Sequence, residues 1–333
     1  MLLRNLKLLA FSGLSFLSLF ASGKPAKPNM IVIMCDDLGY ADVGFNGCKD
    51  IPTPNIDSIA TNGVRFSNGY SAYPVCGPSR AGFITGRYPQ RFGFERNPQY
   101  QPDDPDMGLT RKEKTIAELL SPVGYHSGII GKWHLGAHIP TSHPMKRGFA
   151  EFYGHLGGGH KYMPEALVIK DSAKAQGEAE SYRTWTMRNY APVRPRKYLT
   201  DEFSEEAVSF LERNKKKPFF LFLSYNAPHT PLEATEKYLK RFESIQDSKR
   251  RTYAAMVSAV DDGIGLILKS LIENGLDEKT IVVFLSDNGG PTTKNASRNA
   301  PLRGKKSDVW EGGYRVPFAI QWNGTLPGGK TYD

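Results

Sequence analysis

Cysteine is scarce: Cys35, Cys48 and Cys76 are the only three in 333 residues. That is few for an exported chain, and the odd count leaves at least one free or chemically altered. Long apolar runs are missing too. Beyond a short one near the N-terminus, no segment approaches the length of a membrane span. The 33 glycines and 23 prolines fall well short of a collagen-like or low-complexity composition. There is no internal repeat and no long disordered tract. Basic residues are spread along the chain without any nucleic-acid-binding module, so nucleic acid is set aside as a partner.

What is present supports an ordinary globular core. Hydrophobic residues make up 40% and charged residues 23%, over a length that suits one large domain or two modest ones. Arg4 and Lys7 precede an apolar run from Leu8 to Phe20, followed by Ala21-Ser22-Gly23. A basic start, a short hydrophobic stretch and small residues at its end read as a secretory signal over 1–23, giving a periplasmic or secreted protein with no stable membrane insertion after cleavage. The remaining residues, 24–333, read as one catalytic domain with a formal charge of +7. A basic surface of this kind suits acidic small molecules or sulfated polymers.

The chain alternates short apolar runs with amphipathic stretches. Met30–Met34, Ser127–Ile130, Phe219–Leu223 and Thr280–Leu285 read as buried strands. Helices are expected from Pro54, with Thr53 as its cap, just after Cys76, over Glu113–Leu120, over Thr200–Asn214 and over about Arg251–Asn274. The stretch from about 154 to 196 lacks a stable period and reads as an excursion over one face. Strand–helix alternation with strands apolar on both faces predicts an α/β protein, with a mostly parallel central sheet flanked by helices.

Polar residues fall just after those strands, where this class places its chemistry. Asp36-Asp37 and Asp287-Asn288 offer three carboxylates and an amide oxygen, a donor set suited to calcium or, less well, magnesium. Lys132 and His134 follow one strand, and strand alternation would put them on one face. His229 follows another between Pro228 and Thr230. Either Lys305 or Lys306 could face inward. Taken singly, each has a structural explanation: a strand-terminating Asp, a surface Lys, a hydrogen-bonded His.

Jointly, these segments resemble the sulfatase family. Its Cys-x-Pro-Ser-Arg signature stands as Cys76-Gly77-Pro78-Ser79-Arg80, followed by Thr85-Gly86-Arg87. Asp36-Asp37-Leu38-Gly39, Gly131-Lys132-Trp133-His134, Ala227-Pro228-His229 and Ser286-Asp287-Asn288-Gly289 match further elements, as does Leu302 to Gly313. The similarity runs from about residue 28 nearly to the end.

The resemblance implies an alkaline phosphatase-like sulfatase fold and calcium-dependent hydrolysis of sulfate esters. Cys76 would be oxidised by a separate formylglycine-generating enzyme, and the hydrated formylglycine would supply the nucleophilic oxygen. It implies Asp36, Asp37, Asp287, Asn288 and the modified Cys76 as metal ligands. It assigns Lys132, His229 and Lys306 to the sulfate oxygens, Arg80 to stabilising the hydrate, and His134 to a proton transfer that regenerates the aldehyde. Lys306 is preferred to Lys305 on its spacing before Trp310-Glu311-Gly312-Gly313, although Lys305 stands where the family commonly has glycine.

The expected substrate is a sulfated carbohydrate, with an aryl sulfate as a small surrogate. His155, His160, Lys161, Tyr162 and Arg183 are candidate substrate contacts, His160 foremost. A phosphate or phosphonate ester hydrolase on the same scaffold, or an inactive fragment that binds sulfated glycans, are the alternatives. Such enzymes usually continue into a smaller C-terminal domain, so the chain is expected to be truncated at that end. Asn295-Ala296-Ser297 and Asn323-Gly324-Thr325 fit the glycosylation sequon, a match too short to imply the modification.

Overall fold

The computed structural model describes residues 27–166 and 184–333. The secretory segment read over 1–23, and Arg183, lie outside them. The first half of the described chain carries β1 (Asn29–Cys35), α1 (Pro54–Thr61), β2 (Val64–Phe66), α2 (Cys76–Thr85), α3 (Ile116–Leu120), β3 (His126–Lys132), α4 (Ile139–Ser142) and β4 (Glu151–His155). The second carries β5 (Thr186–Arg188), β6 (Ala191–Val193), α5 (Leu199–Asn214), β7 (Phe219–Ser224), α6 (Glu236–Leu239), α7 (Ser248–Glu273), β8 (Thr280–Ser286), α8 (Glu311–Tyr314), β9 (Phe318–Gln321) and β10 (Lys330–Tyr332).

Among the described residues these strands form one sheet in the order β10-β2-β9-β8-β1-β7-β3-β4-β5-β6. Its centre, β8-β1-β7-β3-β4, is parallel throughout. The margins turn antiparallel at β8–β9, β9–β2, β4–β5 and β5–β6. The parallel strands are apolar on both faces because helices cover both. Ile31, Ile33 and Cys35 of β1 join α1, α5 and α7 on one side. Val32 and Met34 join α2 and α3 on the other. Strand β7 divides likewise, with Phe219, Leu221 and Leu223 on one side and Phe220 and Phe222 on the other.

Register aligns the strand ends. Cys35 pairs with Ser286, Met34 with Ser224, Gly131 with Ser224, and Lys132 with His155. The residues following these strands therefore leave the sheet at one carboxyl edge. Close approach of β3 and β7 needs glycine at 131. Its φ is +104°, and a Cβ there would lie 1.9 Å from the Ser224 carbonyl oxygen.

Two local expectations change. Thr53 does not cap α1; its hydroxyl takes the Gly44 N–H and reaches Asp57. The start of α1 is instead capped from α7, where Asp261 accepts from the Asn55 and Ile56 N–H groups at 3.0 and 2.8 Å. Helix α3 starts at Ile116 rather than Glu113, because Thr115 and Glu118 form a reciprocal capping box. The 154–196 excursion contains the end of β4 and the three-residue strands β5 and β6, too short to impose a readable period. No helix among the described residues is long and apolar enough to cross a membrane.

A buried ion network fastens the loop after β1. Arg250 of α7 reaches Asp42 at 2.7 Å and Asp50 at 2.8 Å, and the second Asp42 oxygen accepts from Tyr253 Oη and the Arg298 N–H. On the far side of the sheet, Trp133 Nε1 donates to the Ser142 carbonyl at 2.8 Å, tying the loop after β3. His143 follows, buried edge-on against Phe152.

Burial, partly opposed by a backbone hydrogen bond at Asn189, holds the His143 pKa down at about 4 against an ordinary 6.5. The unfolded chain therefore takes up this proton first as pH falls, and stability is lost between about pH 6.5 and 4. Urea unfolding of wild type and His143→Gln across that window checks this. Wild-type stability should fall relative to the variant by up to ~1.4 kcal/mol per pH unit. Parallel pH profiles would remove His143 as the cause.

Candidate active site

The strand ends deliver three acidic side chains to one point. Ligand atoms of Asp36, Asp37 and Asp287 all lie within 4.8 Å of one another, and all three residues are buried. Like charges this close in a low-dielectric site are strongly unfavourable without compensation. Three cations supply it. Lys132 Nζ meets Asp36 at 2.6 Å; Arg80 Nε and Nη2 grip Asp287 at 3.0 and 2.9 Å; Lys306 Nζ meets the two Asp37 oxygens at 2.7 and 2.9 Å.

Local folding fixes each group. Asp37 sits at φ +65°, a left-handed conformation that Asp tolerates better than most residues, and its N–H donates to Asp287 at 3.2 Å. The Asn288 side-chain nitrogen donates to Asp37 at 2.7 Å and to the Gly289 carbonyl, leaving Oδ1 to find its own partner. That oxygen is buried and has no hydrogen-bond partner. A buried acceptor without a donor is costly in an otherwise paired interior. A hard cation held by the three carboxylates and Asn288 Oδ1 would satisfy it, and such an all-oxygen set suits calcium or magnesium.

Cys76 opens α2, fully buried, with Sγ 3.4 Å from Asp36 Oδ1 and 2.9 Å from Lys306 Nζ. Burial and the Asp36 charge push its thiol up to about 12, so an unmodified Cys76 stays protonated and is a poor nucleophile at neutral pH. Arg80 lies one turn further along α2. Besides Asp287 it donates to the Lys132 carbonyl at 3.3 Å and to Ser224 Oγ at the end of β7.

The carboxylates respond unequally. Burial alone would raise Asp36, but Lys132, His229 and Arg80 outweigh it and hold that carboxyl well below its usual range. Asp287 moves the other way, to about 7, because burial and the neighbouring Asp36 charge exceed the help from Arg80 and Lys132. For Lys306, burial works against the charge, yet Cys76 and the aspartates raise its pKa well above the ordinary lysine value.

Two histidines complete the floor of the site. The His229 Nδ1–H donates to the Thr230 carbonyl at 2.6 Å, which leaves Nε2 facing Asp37 at 3.6 Å. His134, at φ +56°, is buried, and burial with Lys132 and Arg80 keeps its pKa well below 6.5. Its Nδ1 has no partner, and Gly158 lies so close that a Cβ there would come within 2.6 Å of Nε2.

The site opens into a cavity of about 1260 Å³ lined by Asp37, Cys76, His134, His229 and Lys306. Lys306, not Lys305, points to the centre; Lys305 lies outward, exposed, 3.5 Å from Asp308. His160 lines the cavity, but both its ring nitrogens face backbone carbonyls, of Lys161 at 2.8 Å and Thr184 at 2.7 Å. His155 is buried against it, and Tyr162 is a buried tether whose hydroxyl donates to the Asn226 and His229 carbonyls. Of the candidate substrate contacts with described positions, Lys161 and His160 reach the cavity wall. Asn295 is buried with its amide on the Asp37 carbonyl, so that sequon serves the fold.

Sequence reasoning missed Ser224, Asn97 and Lys294. Ser224 ends a strand at the same edge as the other site residues, a placement that would have flagged it. Asn97 holds the Gly77 N–H at 2.8 Å from a loop without periodicity. Lys294 is one lysine in a polar segment.

Comparison with known proteins follows the same outline. The Sulfatase family model matches residues 28–332. N-acetylgalactosamine-6-sulfatase of Mus musculus is 36% identical over 95% of this chain and 61% of its own length. Arylsulfatase J of Mus musculus is 35% identical over 87% of this chain and 47% of its own. The chain thus spans about three fifths of the first of these relatives. Ps i-CgsB, solved with k-i-k-neocarrahexaose, superimposes with a TM-score of 0.86 at 45% identity, covering 92% of this chain and 68% of that one. PsFucS1 sulfatase from Pseudoalteromonas sp. gives 0.75 at 32% identity, covering 92% and 64%. Phosphonate monoester hydrolase of Agrobacterium radiobacter, at 19% identity and 0.63, shares the fold.

The charge balance is open to a direct check. Arg80→Leu should leave Asp36 and Asp287 buried without their shared cation and lower stability by ~3–5 kcal/mol in urea unfolding. Arg80→Lys should recover only part, since a lysine cannot hold Asp287 through two nitrogens while also reaching Ser224 and the Lys132 carbonyl. Full recovery by lysine would show that charge alone suffices.

Proposed function

The chain belongs to the sulfatase family, and from that premise we propose that it hydrolyses sulfate esters on a sulfated carbohydrate, using calcium and a formylglycine formed from Cys76. One observation carries the reading: Cys76 Sγ sits between Asp36 and Lys306, beside three clustered carboxylates and an unpartnered Asn288 oxygen. The names of relatives support the substrate class, since one is an N-acetylgalactosamine-6-sulfatase and one structure holds a neocarrahexaose.

Asp36, Asp37, Asp287, Asn288 and position 76 are the residues that would hold the metal. A bound calcium supplies Lewis acidity that lowers the cost of negative charge on a sulfate oxygen. Formylglycine, once formed and hydrated, supplies a hydroxyl nucleophile where the thiol of Cys76 is inert. Around these, the protein's own groups bind and orient. Lys132 and Lys306 set fixed positive charge against the sulfate oxygens, which are otherwise repelled by the aspartates. His229, its Nδ1–H fixed on Thr230, presents Nε2, which holds a sulfate oxygen or gives a proton to the departing alcohol oxygen only once the ring is protonated; burial opposes that charge, and Asp36, Asp37 and the anionic substrate favour it. Burial keeps the His134 imidazole neutral, so it is able to take a proton from the hydroxyl at position 76. Arg80, one turn along α2 from position 76, holds Asp287 in place through two nitrogens.

The proposal extends to maturation by a formylglycine-generating enzyme and to export, with a signal over residues 1–23 and a periplasmic or secreted destination. It also includes the reading of 24–333 as a catalytic domain.

The central test measures sulfate release from a panel of sulfated glycans and one activated aryl sulfate, after co-expression with a formylglycine-generating enzyme. Release should vanish in Cys76→Ala and fall by about 10²–10³ in Lys306→Ala, the scale for losing one charge-stabilising contact. A large preference for matched phosphate esters would favour the phosphoester reading. Saturable glycan binding without release, from a chain with verified formylglycine, would favour a binding fragment.

Metal is tested without turnover. Calcium should raise the melting temperature of the chelator-treated protein, and Asp37→Asn should lose most of that shift. An unchanged melting temperature with calcium would count against the ion.

A further inference from the structure

Lysines reach the cavity wall beyond the reacting centre from two parts of the chain, the segment after β4 and the long connection between β8 and α8. Four lysines, Lys161, Lys294, Lys305 and Lys306, line the cavity against two aspartates, Asp37 and Asp308. Lys306 and Asp37 neutralise each other at the floor. Asp308 lies 3.5 Å from Lys305 Nζ, a long and partly exposed pairing of the kind worth little in water. No ion pair among the described residues engages Lys161 or Lys294. Among the described lining residues the outer cavity therefore keeps an excess of positive charge.

The placement of that charge is built into the loops. Lys305 is one residue from Lys306, whose Nζ lies on Asp37 and Cys76. Lys294 is one residue from Asn295, whose buried amide donates to the Asp37 carbonyl at 3.2 Å. Lys161 is one residue from Tyr162, whose buried hydroxyl donates to the His229 carbonyl at 2.8 Å. Each lysine is thus a single Cα step of about 3.8 Å from a side chain fastened to the centre. Meanwhile the anchor is buried or half-buried, and Lys294 and Lys305 are exposed. A surface that merely needed solubility has no reason to repeat this arrangement at three points around one opening, two on the long connection between β8 and α8 and one on the segment after β4.

The cavity's size points the same way. Its volume of about 1260 Å³ exceeds the usual range for a pocket that encloses one drug-sized ligand. It has room for several sugar units, and the reacting sulfate would occupy only its floor.

We propose that Lys161, Lys294 and Lys305 form a second anion-binding rim that takes a further sulfate on the same glycan, so that the cavity selects multiply sulfated oligosaccharides over singly sulfated ones. This rests on the sulfate-ester reading of the site and adds its specificity. Attraction by a rim in partial contact with solvent is screened by salt, so the selectivity should weaken as ionic strength rises.

The test compares binding, by calorimetry, of a trisulfated hexasaccharide and the matching monosulfated one to the chain expressed without the maturation enzyme. Wild type should bind the trisulfated chain at least tenfold tighter at low salt, with the ratio shrinking at high salt. The triple variant Lys161→Ala, Lys294→Ala, Lys305→Ala should bring the ratio to within about threefold of unity. An equal loss of charge elsewhere, at Lys215, Lys269 and Lys330, should leave the ratio as in wild type. The proposal is overturned if the rim variant keeps the wild-type ratio, if the distant variant lowers it as much, or if wild type binds neither hexasaccharide. Sulfate release by the formylglycine-bearing chain is measured separately. Binding selectivity lost with the rim, but no release from either sugar, supports the rim and counts against the hydrolase.

Discussion

Three buried carboxylates in one place are the constraint from which the rest of the structure follows. Asp36, Asp37 and Asp287 converge within 4.8 Å, a grouping that burial alone would force toward protonation. Lys132, Arg80 and Lys306 each meet one of them at 2.6 to 3.0 Å. These cations come from β3, α2 and the loop before α8, so distant parts of the chain must close together for the charges to balance. The balance is uneven, with Asp36 held well ionised and Asp287 raised toward neutrality. An unpartnered Asn288 oxygen beside them marks where the protein's own groups stop supplying contacts.

A parallel sheet is a suitable scaffold for this problem. Its strands all finish at one edge, and register sets which side chains finish together. Cys35 opposite Ser286 brings Asp36 beside Asp287, while Ser224 opposite both Met34 and Gly131 brings β7 under Arg80 and Lys132. Helix α2 supplies both Cys76 and Arg80 because they stand four residues apart, on one face. The Arg250–Asp42–Tyr253 network lies behind the loop after β1 and ties it to α7.

The central strands and long helices were legible because their patterns are long and apolar. Both β1 and β7 are buried on each face and carry no competing signal, and α7 repeats its apolar residues over 26 positions. The acidic pairs were legible by position, as polar residues just past such strands. The antiparallel margins were harder, since β5 and β6 have three residues each. Helix caps proved local in one case and remote in another: Glu118 caps its own helix from three residues away, whereas Asp261 caps α1 from 205 residues away, beyond any sequence window. The choice between Lys305 and Lys306 needed three dimensions, because adjacent lysines have the same chemistry and differ only in direction. His160 shows the converse: a histidine beside a glycine-rich turn invites a ligand role, yet two backbone carbonyls already occupy its ring.

The single-residue spacing between Lys161, Lys294 and Lys305 and their anchors separates two kinds of change in descent. Replacing one of these lysines alters the charge at the opening while Tyr162, Asn295 and Lys306 keep their contacts. Inserting a residue between lysine and anchor shifts the side chain by about 3.8 Å and turns it to another side. Lineages sharing this arrangement should therefore diversify at the opening by exchange of residues, with loop lengths at these three points held constant.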